Sequence, residues 1–167
     1  MIAALLLVLG AVAPRCYPPP VAAPVAVPYL QPACEYCPGH RGLEYHLAEG
    51  SAVRAVSSGV VTFSGVVAGT RYVVVLQPDG LRATYGQLSA VVPSRGAVIA
   101  AGQLVGSSSG RLYFGLRDAG NTPVDPTPLL GTLIGRARLV PSDGGASRPG
   151  APPRLQCGPA VSPIWAA

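Results

Sequence analysis

The stretch richest in reactive side chains is residues 34–50, CEYCPGHRGLEYHLAEG. It holds both histidines of the 167-residue chain, two of its four cysteines and three of its seven acidic residues. If this stretch runs as a strand, positions of equal parity share a face. His40 and Glu44 then point the same way, and so does His46. Imidazole nitrogen and carboxylate oxygen are both good zinc donors, so His40 and Glu44 make a metal-site-like start. Zinc at His40, Glu44 and His46 is the minor form of this reading. Cys34 and Cys37 form a C-x-x-C. No second C-x-x-C or His-x-His follows to complete a zinc knuckle, and no βαβ context supports a thioredoxin-like role. A Cys34–Cys37–His40 metal trio and a disulfide both stay open, with the disulfide the plainer reading in an exported chain. The disulfide candidates are Cys34, Cys37 and Cys157. Either Cys34 and Cys37 close a tight loop, or one of them staples the C-terminal tail through Cys157.

The elements that must position these residues are strands. Residues 53–55 place Val53 and Ala55 on one face and Arg54 on the other. Residues 60–63 (VVTF), 72–76 (YVVVL), 81–85 and 111–117 (RLYFGLR) are short runs rich in β-branched and aromatic residues, punctuated by glycine. The run 72–76 is continuously apolar, as expected of a strand covered on both faces. Pro78-Asp79-Gly80 is a turn. No sustained helical periodicity occurs, so the expectation is a single all-β sandwich or barrel.

Around this block the composition shifts. Residues 1–13 (MIAALLLVLGAVA) are uncharged and apolar, shorter than the roughly 20 residues that span a bilayer. With the small-residue motif Ala11-Val12-Ala13 they read as a signal peptide. Residues 14–32 are proline-rich and read as an extended linker. The folded domain is expected over 33–131 and a low-complexity tail over 132–167. The expected location is secreted or otherwise outside the cytoplasm, or membrane-tethered where the apolar run is uncleaved. No stable membrane span is expected after cleavage. The net charge is +5 and all 12 basic residues are arginines, of which Arg41, Arg54, Arg71, Arg82, Arg95, Arg111 and Arg117 are scattered singly along the core. A nucleic-acid binder clusters them on one face or element, so nucleic acid is not an expected partner.

The order of the motifs carries a resemblance. PGHRGLEY is followed by EGSAVRAVSSGVVTFSG, then RYVVVLQPDGLRATYGQLS, then RGAVIAAGQLVG, then GRLYFGLRD and VDPTPLL. Over about residues 38–130 this resembles the LytM or lysostaphin-type zinc endopeptidases, which cut peptide cross-bridges in peptidoglycan. The resemblance implies their all-β sandwich fold and identifies His40 as the first zinc histidine. Glu44 stands where the family has aspartate, keeping the carboxylate but reaching one methylene further. The family's later ligand and catalytic histidines fall on Gln87, Arg111 and Tyr113.

A catalytic zinc site takes about three protein ligands and one open position. His40 and Glu44 alone supply two. The resemblance therefore implies a degenerate, non-catalytic member with no cofactor expected, zinc being the cofactor only if the residual site at His40 and Glu44 fills. The expected partner is peptidoglycan or a cell-wall amidase. Tyr85, Gln87, Arg111 and Tyr113 are expected to line a retained groove, and Arg111 is expected to pair with Glu44 in place of the metal. The alternatives are a zinc metalloendopeptidase with an atypical ligand set, and a structural or interaction module without a wall ligand.

Overall fold

The structure, a computed structural model, describes residues 15–34, 37–135 and 153–158. The apolar run 1–13 read as a signal peptide lies outside them. Strands dominate: β1 (Leu43–His46), β2 (Ala52–Arg54), β3 (Gly59–Val67), β4 (Thr70–Leu76), β5 (Arg82–Val91), β6 (Val98–Ile99), β7 (Leu104–Arg117) and β8 (Pro123–Val124). One 3-10 turn follows at Thr127–Leu129, then β9 (Thr132–Ile134) and β10 (Arg154–Gln156). The main sheet has the order β1-β7-β5-β4-β3-β6, with β2 and β8 also paired to β7, and β9 pairs with β10 apart from it. The described pairings between these strands are all antiparallel.

β7 is the strand on which the sheet is organised. Its first part, Leu104 to Ser108, pairs with β2 and with the second half of β5. Its second part, Arg111 to Arg117, pairs with β1, the first half of β5, and β8. Between the parts sits Gly110 at φ 91, a conformation open to glycine and costly for other residues. β5 breaks register at the same level, where Gln87 adopts φ 61. The two breaks are tied together by Ser109 Oγ, which donates to the Gln87 carbonyl at 2.8 Å. The sequence pieces 104–105 and 111–117 are therefore one long, bent strand.

Alternation along these strands separates a core face from an outer face. Leu43 and Tyr45 of β1, Ala83 and Tyr85 of β5, and Leu112, Phe114 and Leu116 of β7 are all buried together. Fully burying such a side chain contributes on the order of 1.5–3 kcal/mol each, so these positions hold the register. In the apolar run of β4 only Val73 and Val75 are buried; Tyr72 and Val74 are half-buried and Leu76 is exposed. Among the described residues the cover of this run is thus uneven, complete on the core face and partial on the other.

The proline-rich stretch is extended, as its prolines require, but it does not hang free. Pro20 accepts the Arg54 N–H at 2.9 Å, and Val21 is buried in the core. Residues Val27 and Leu30 bridge Glu44 and His40 across antiparallel contacts. Tyr17 bonds through its hydroxyl to Asp79 of the β4–β5 turn, and Arg15 approaches the same carboxylate at 3.5 Å. Both disulfides are intramolecular: Cys34–Cys37, and Cys16–Cys157. The C-terminal segment is thus stapled by Cys16, not by Cys34 or Cys37. The tight Cys34–Cys37 bridge also removes the thiolates that a Cys-Cys-His metal trio requires.

The Cys16–Cys157 bridge spans 141 residues and the Cys34–Cys37 bridge three. Closing a longer loop removes more entropy from the unfolded chain. By the loop-length relation, replacing Cys16 and Cys157 together by serine should lower unfolding free energy by about 5 kcal/mol. The Cys34→Ser/Cys37→Ser pair should cost about 1–2 kcal/mol by the same relation. Denaturant titration of the three proteins measures both, and equal losses would refute the entropic account.

Candidate functional site

β1 and β7 fix the site by register. Glu44 lies opposite Tyr113, and His46 lies opposite Arg111. Glu44, His46, Arg111 and Tyr113 therefore share the outer face, while Tyr45 and Leu112 between them point into the core. His40 precedes β1 and is held by two backbone hydrogen bonds with Leu30, each 2.9 Å. Its Nδ1 lies 3.1 Å from the Pro28 carbonyl oxygen, which can only accept. Nδ1 must then carry the proton, leaving Nε2 free to face the site, the tautomer that suits a metal ligand. His40 Nε2 stands 3.4 Å from Glu44 Oε1, yet the two are not aligned as a hydrogen bond, so the buried Nε2 has no hydrogen-bond partner. His40 and Glu44 are thus brought together as a pair of donors, the remnant of a zinc site on the reading proposed below.

Tyr113 packs directly beside this pair. Its ring meets His40 edge-on, with centroids 6.0 Å apart. Its hydroxyl donates to the Arg41 carbonyl at 2.9 Å. The ring lies across Gly42 and Gly115: a Cβ on Gly42 would come within 2.7 Å of the ring, and one on Gly115 within 2.8 Å of the hydroxyl oxygen. Both glycines are therefore needed for the side chain to lie flat there. Burial pushes the Tyr113 phenol above its ordinary range, with Arg117 and Arg41 opposing and Tyr72 and Glu44 adding to the rise. A phenol held neutral and donating to a carbonyl is not an anionic donor, so the residues present do not fit a catalytic zinc.

The other expected positions fall elsewhere. Arg111 is exposed beside His46 and forms no ion pair with Glu44, whose carboxylate instead lies 3.4 Å from His40 Nε2. The cause is register: Arg111 is two residues along β7 from the position opposite Glu44, about 6–7 Å of strand. His46 is exposed, two residues beyond Glu44, and does not join the remnant. Among the described residues no group of three or more His, Cys, Asp or Glu side chains gathers around a common point. Gln87 is the bulged residue of β5, and its carbonyl is tied to Ser109. Tyr85 does not line a groove. It is fully buried on the core face, packed on Phe114 with ring centroids 5.4 Å apart, and its hydroxyl oxygen accepts the Val56 N–H at 2.9 Å.

Two residues that sequence reasoning passed over stand beside the site. Arg41 and Arg117 line a cavity of about 740 Å³ together with Gln31, Asn121 and Thr122. The signal was present in parity: Arg117 lies four residues beyond Tyr113 on the same strand, hence on the same face.

An antiparallel all-β sheet carrying a histidine and a carboxylate on the outer face next to the second half of β7 is the frame of a LytM/lysostaphin-type peptidase domain. Residues 38–126 match peptidase family M23, and the chain belongs to that family. Uncharacterized protein Rv2891 of Mycobacterium tuberculosis is 31% identical over 118 residues, covering 64% of this chain and 47% of that protein. Uncharacterized protein Mb2915 of Mycobacterium bovis matches to the same extent, so the chain spans about half the length of these relatives. Among solved structures, Helicobacter pylori Csd3 superimposes with a TM-score of 0.62 at 28% identity, covering 72% of this chain and 34% of that one. The catalytic domain of lysostaphin from Staphylococcus simulans shares the fold with a TM-score of 0.56 at 23% identity, covering 64% and 90%.

Two predictions follow from the tyrosines. Burial pushes Tyr45 up to about 12 and raises Tyr85 and Tyr113 as well. An unfolded tyrosine ionises near pH 10. Between pH 10 and 12 the folded state therefore keeps protons that the unfolded chain releases. Stability from these groups is complete below pH 10 and falls as pH rises toward 12. Absorbance at 295 nm should show these tyrosines ionising together with unfolding; free ionisation of all tyrosines in the native state would contradict this. Separately, Tyr85→Phe strands the buried Val56 N–H and should cost about 1–3 kcal/mol in denaturant unfolding.

Proposed function

We propose that this chain is a non-catalytic member of family M23 that acts at the cell wall, by binding peptidoglycan or by activating a hydrolase that does the cutting. The observation that carries this reading is Tyr113, whose neutral hydroxyl is engaged with the Arg41 carbonyl where a third metal donor is required. Two donors, His40 and Glu44, are too few for a zinc that must be held firmly and still keep an open position for water. The outer face and its rim survive as a shaped surface, and tyrosine and arginine are frequent anchors on such surfaces. Family membership supports a peptide-bearing wall polymer as the ligand class, and the apolar run at residues 1–13 supports an extracytoplasmic or membrane-tethered location. Fold alone does not bring catalysis with it.

One observation favours a second reading, a zinc endopeptidase with an atypical ligand set. The buried His40 Nε2 has no aligned partner and faces Glu44 Oε1. The two readings separate on one preparation. After incubation with zinc and dialysis, the protein should retain well under one zinc per chain, release no peptides from purified sacculi, and sediment with them. Stoichiometric zinc with peptide release would overturn the proposal in favour of the enzyme. Failure to sediment, with no effect on a cell-wall amidase, would leave a structural or interaction module. Restoring the donors as Glu44→Asp, Gln87→His, Arg111→His and Tyr113→His together should raise retained zinc to about one per chain.

A further inference from the structure

The cavity beside the remnant differs in character from the remnant itself. Its charged lining residues, among those described, are Arg41 and Arg117, and no described carboxylate lines it. Arg117 gives one Nη1 hydrogen bond to the Asn121 carbonyl, 2.7 Å, and forms no ion pair with a described carboxylate. A guanidinium carries five N–H donors, so most of its fork is left to face the cavity. The two acidic side chains nearest Arg117 in sequence each give one oxygen to backbone: Asp118 Oδ1 accepts the Thr122 N–H at 2.8 Å and Asp125 Oδ1 accepts the Thr127 N–H at 2.8 Å.

A second feature reinforces the first. Arg82 of β5 stands directly opposite Arg117 of β7 in the ladder. Like charges facing each other across a strand pair are destabilising. An anion held at Arg117, the member of this pair that lines the cavity, would offset part of that repulsion. The field of Arg41 and Arg117 already reaches both tyrosines nearby, pulling the pKa of Tyr29 and Tyr113 down against the larger upward effect of burial. Around the two arginines the lining is short and partly apolar, with Pro32, Ala33 and Pro123, while Asn121 and Thr122 add polar groups. That combination suits the end of a short peptide better than a bare ion.

We propose that the cavity binds the free carboxylate at the end of a short peptide, held by Arg117 and Arg41. This rests on the wall-binding reading and deepens it, by naming the chemical end of the wall peptide that is recognised. Arginine pairs with a carboxylate through two parallel hydrogen bonds, which gives orientation as well as affinity.

The test titrates three probes into the full chain: acetyl-D-alanyl-D-alanine, its C-terminal amide, and inorganic phosphate. The acid should bind at least roughly tenfold more tightly than the amide and more tightly than phosphate. Arg117→Gln should weaken the acid by roughly tenfold without moving the amide, and Arg117→Lys should recover part of the loss. Arg95→Gln removes the same charge from an exposed loop and should leave acid binding unchanged. Thermal melting of each variant confirms folding, and Arg41→Gln gives the same readout should Arg117→Gln fail to fold. Equal affinity for acid and amide, no binding of the acid, or tighter binding of phosphate each overturns the proposal. If the protein sediments with sacculi yet ignores the acid, only the carboxylate site fails. If it binds the acid yet does not sediment, the wall-binding reading fails and the site stands.

Discussion

The register between β1 and β7 is the constraint from which the site follows. Leu43 faces Phe114 and Tyr45 faces Leu112, and all four are buried. A slip of β1 by one residue would bring Glu44 and His46 into the core and put Leu43 and Tyr45 into water. Because the core positions forbid that slip, Glu44 must sit opposite Tyr113, and Arg111 must sit opposite His46. The remnant pair and the neighbouring residues are thus placed by side chains that never touch them.

The same strand explains why the N-terminal segment is part of the domain. The outer edge of β1 would otherwise present unpaired backbone groups, a liability in any sheet. Ala26 and Val27 donate to the Glu44 carbonyl, at 2.8 and 3.2 Å, and Glu44 N–H returns to Val27 at 2.9 Å. Leu30 and His40 exchange the pair of bonds that hold the histidine. The prolines lack donors but keep carbonyls, and the segment uses Pro20 and Pro28 in that way. His40 therefore owes its tautomer to a stretch that composition alone marks as a linker.

The fold was legible because alternation and turn residues repeat along the chain. Val53 and Ala55 are buried and Arg54 is not, as parity requires. The remnant was legible too, since His40 and Glu44 are near neighbours in sequence and meet at 3.4 Å. What escaped depends on long-range pairing. Tyr85 reads as a groove residue until its parity with Ala83 and its partner Phe114 place it in the core. Arg111 reads as a partner for Glu44 until the strand register sets it two positions away. Cys16 and Cys157 are separated by 141 residues, and no local pattern announces their pairing.

Replacing the family's histidine by Tyr113 has a consequence larger than a lost ligand. A metal site concentrates positive charge on the ion and surrounds it with donors. Here the donors are reduced to His40 and Glu44, and the phenol binds backbone instead. The positive charge of this face is then carried by arginines, fixed in place and always ionised. Arg117 lies on the same face as Tyr113, one Gly115 step beyond the ring, and Arg41 supplies the carbonyl that anchors the hydroxyl. Tyr113 thereby links the old site to the new cavity: its ring closes one while its hydroxyl orders the backbone that bears Arg41 at the rim of the other. On the proposed reading, a face that holds an ion in a zinc peptidase instead presents fixed cations to an anionic group, with no change of fold.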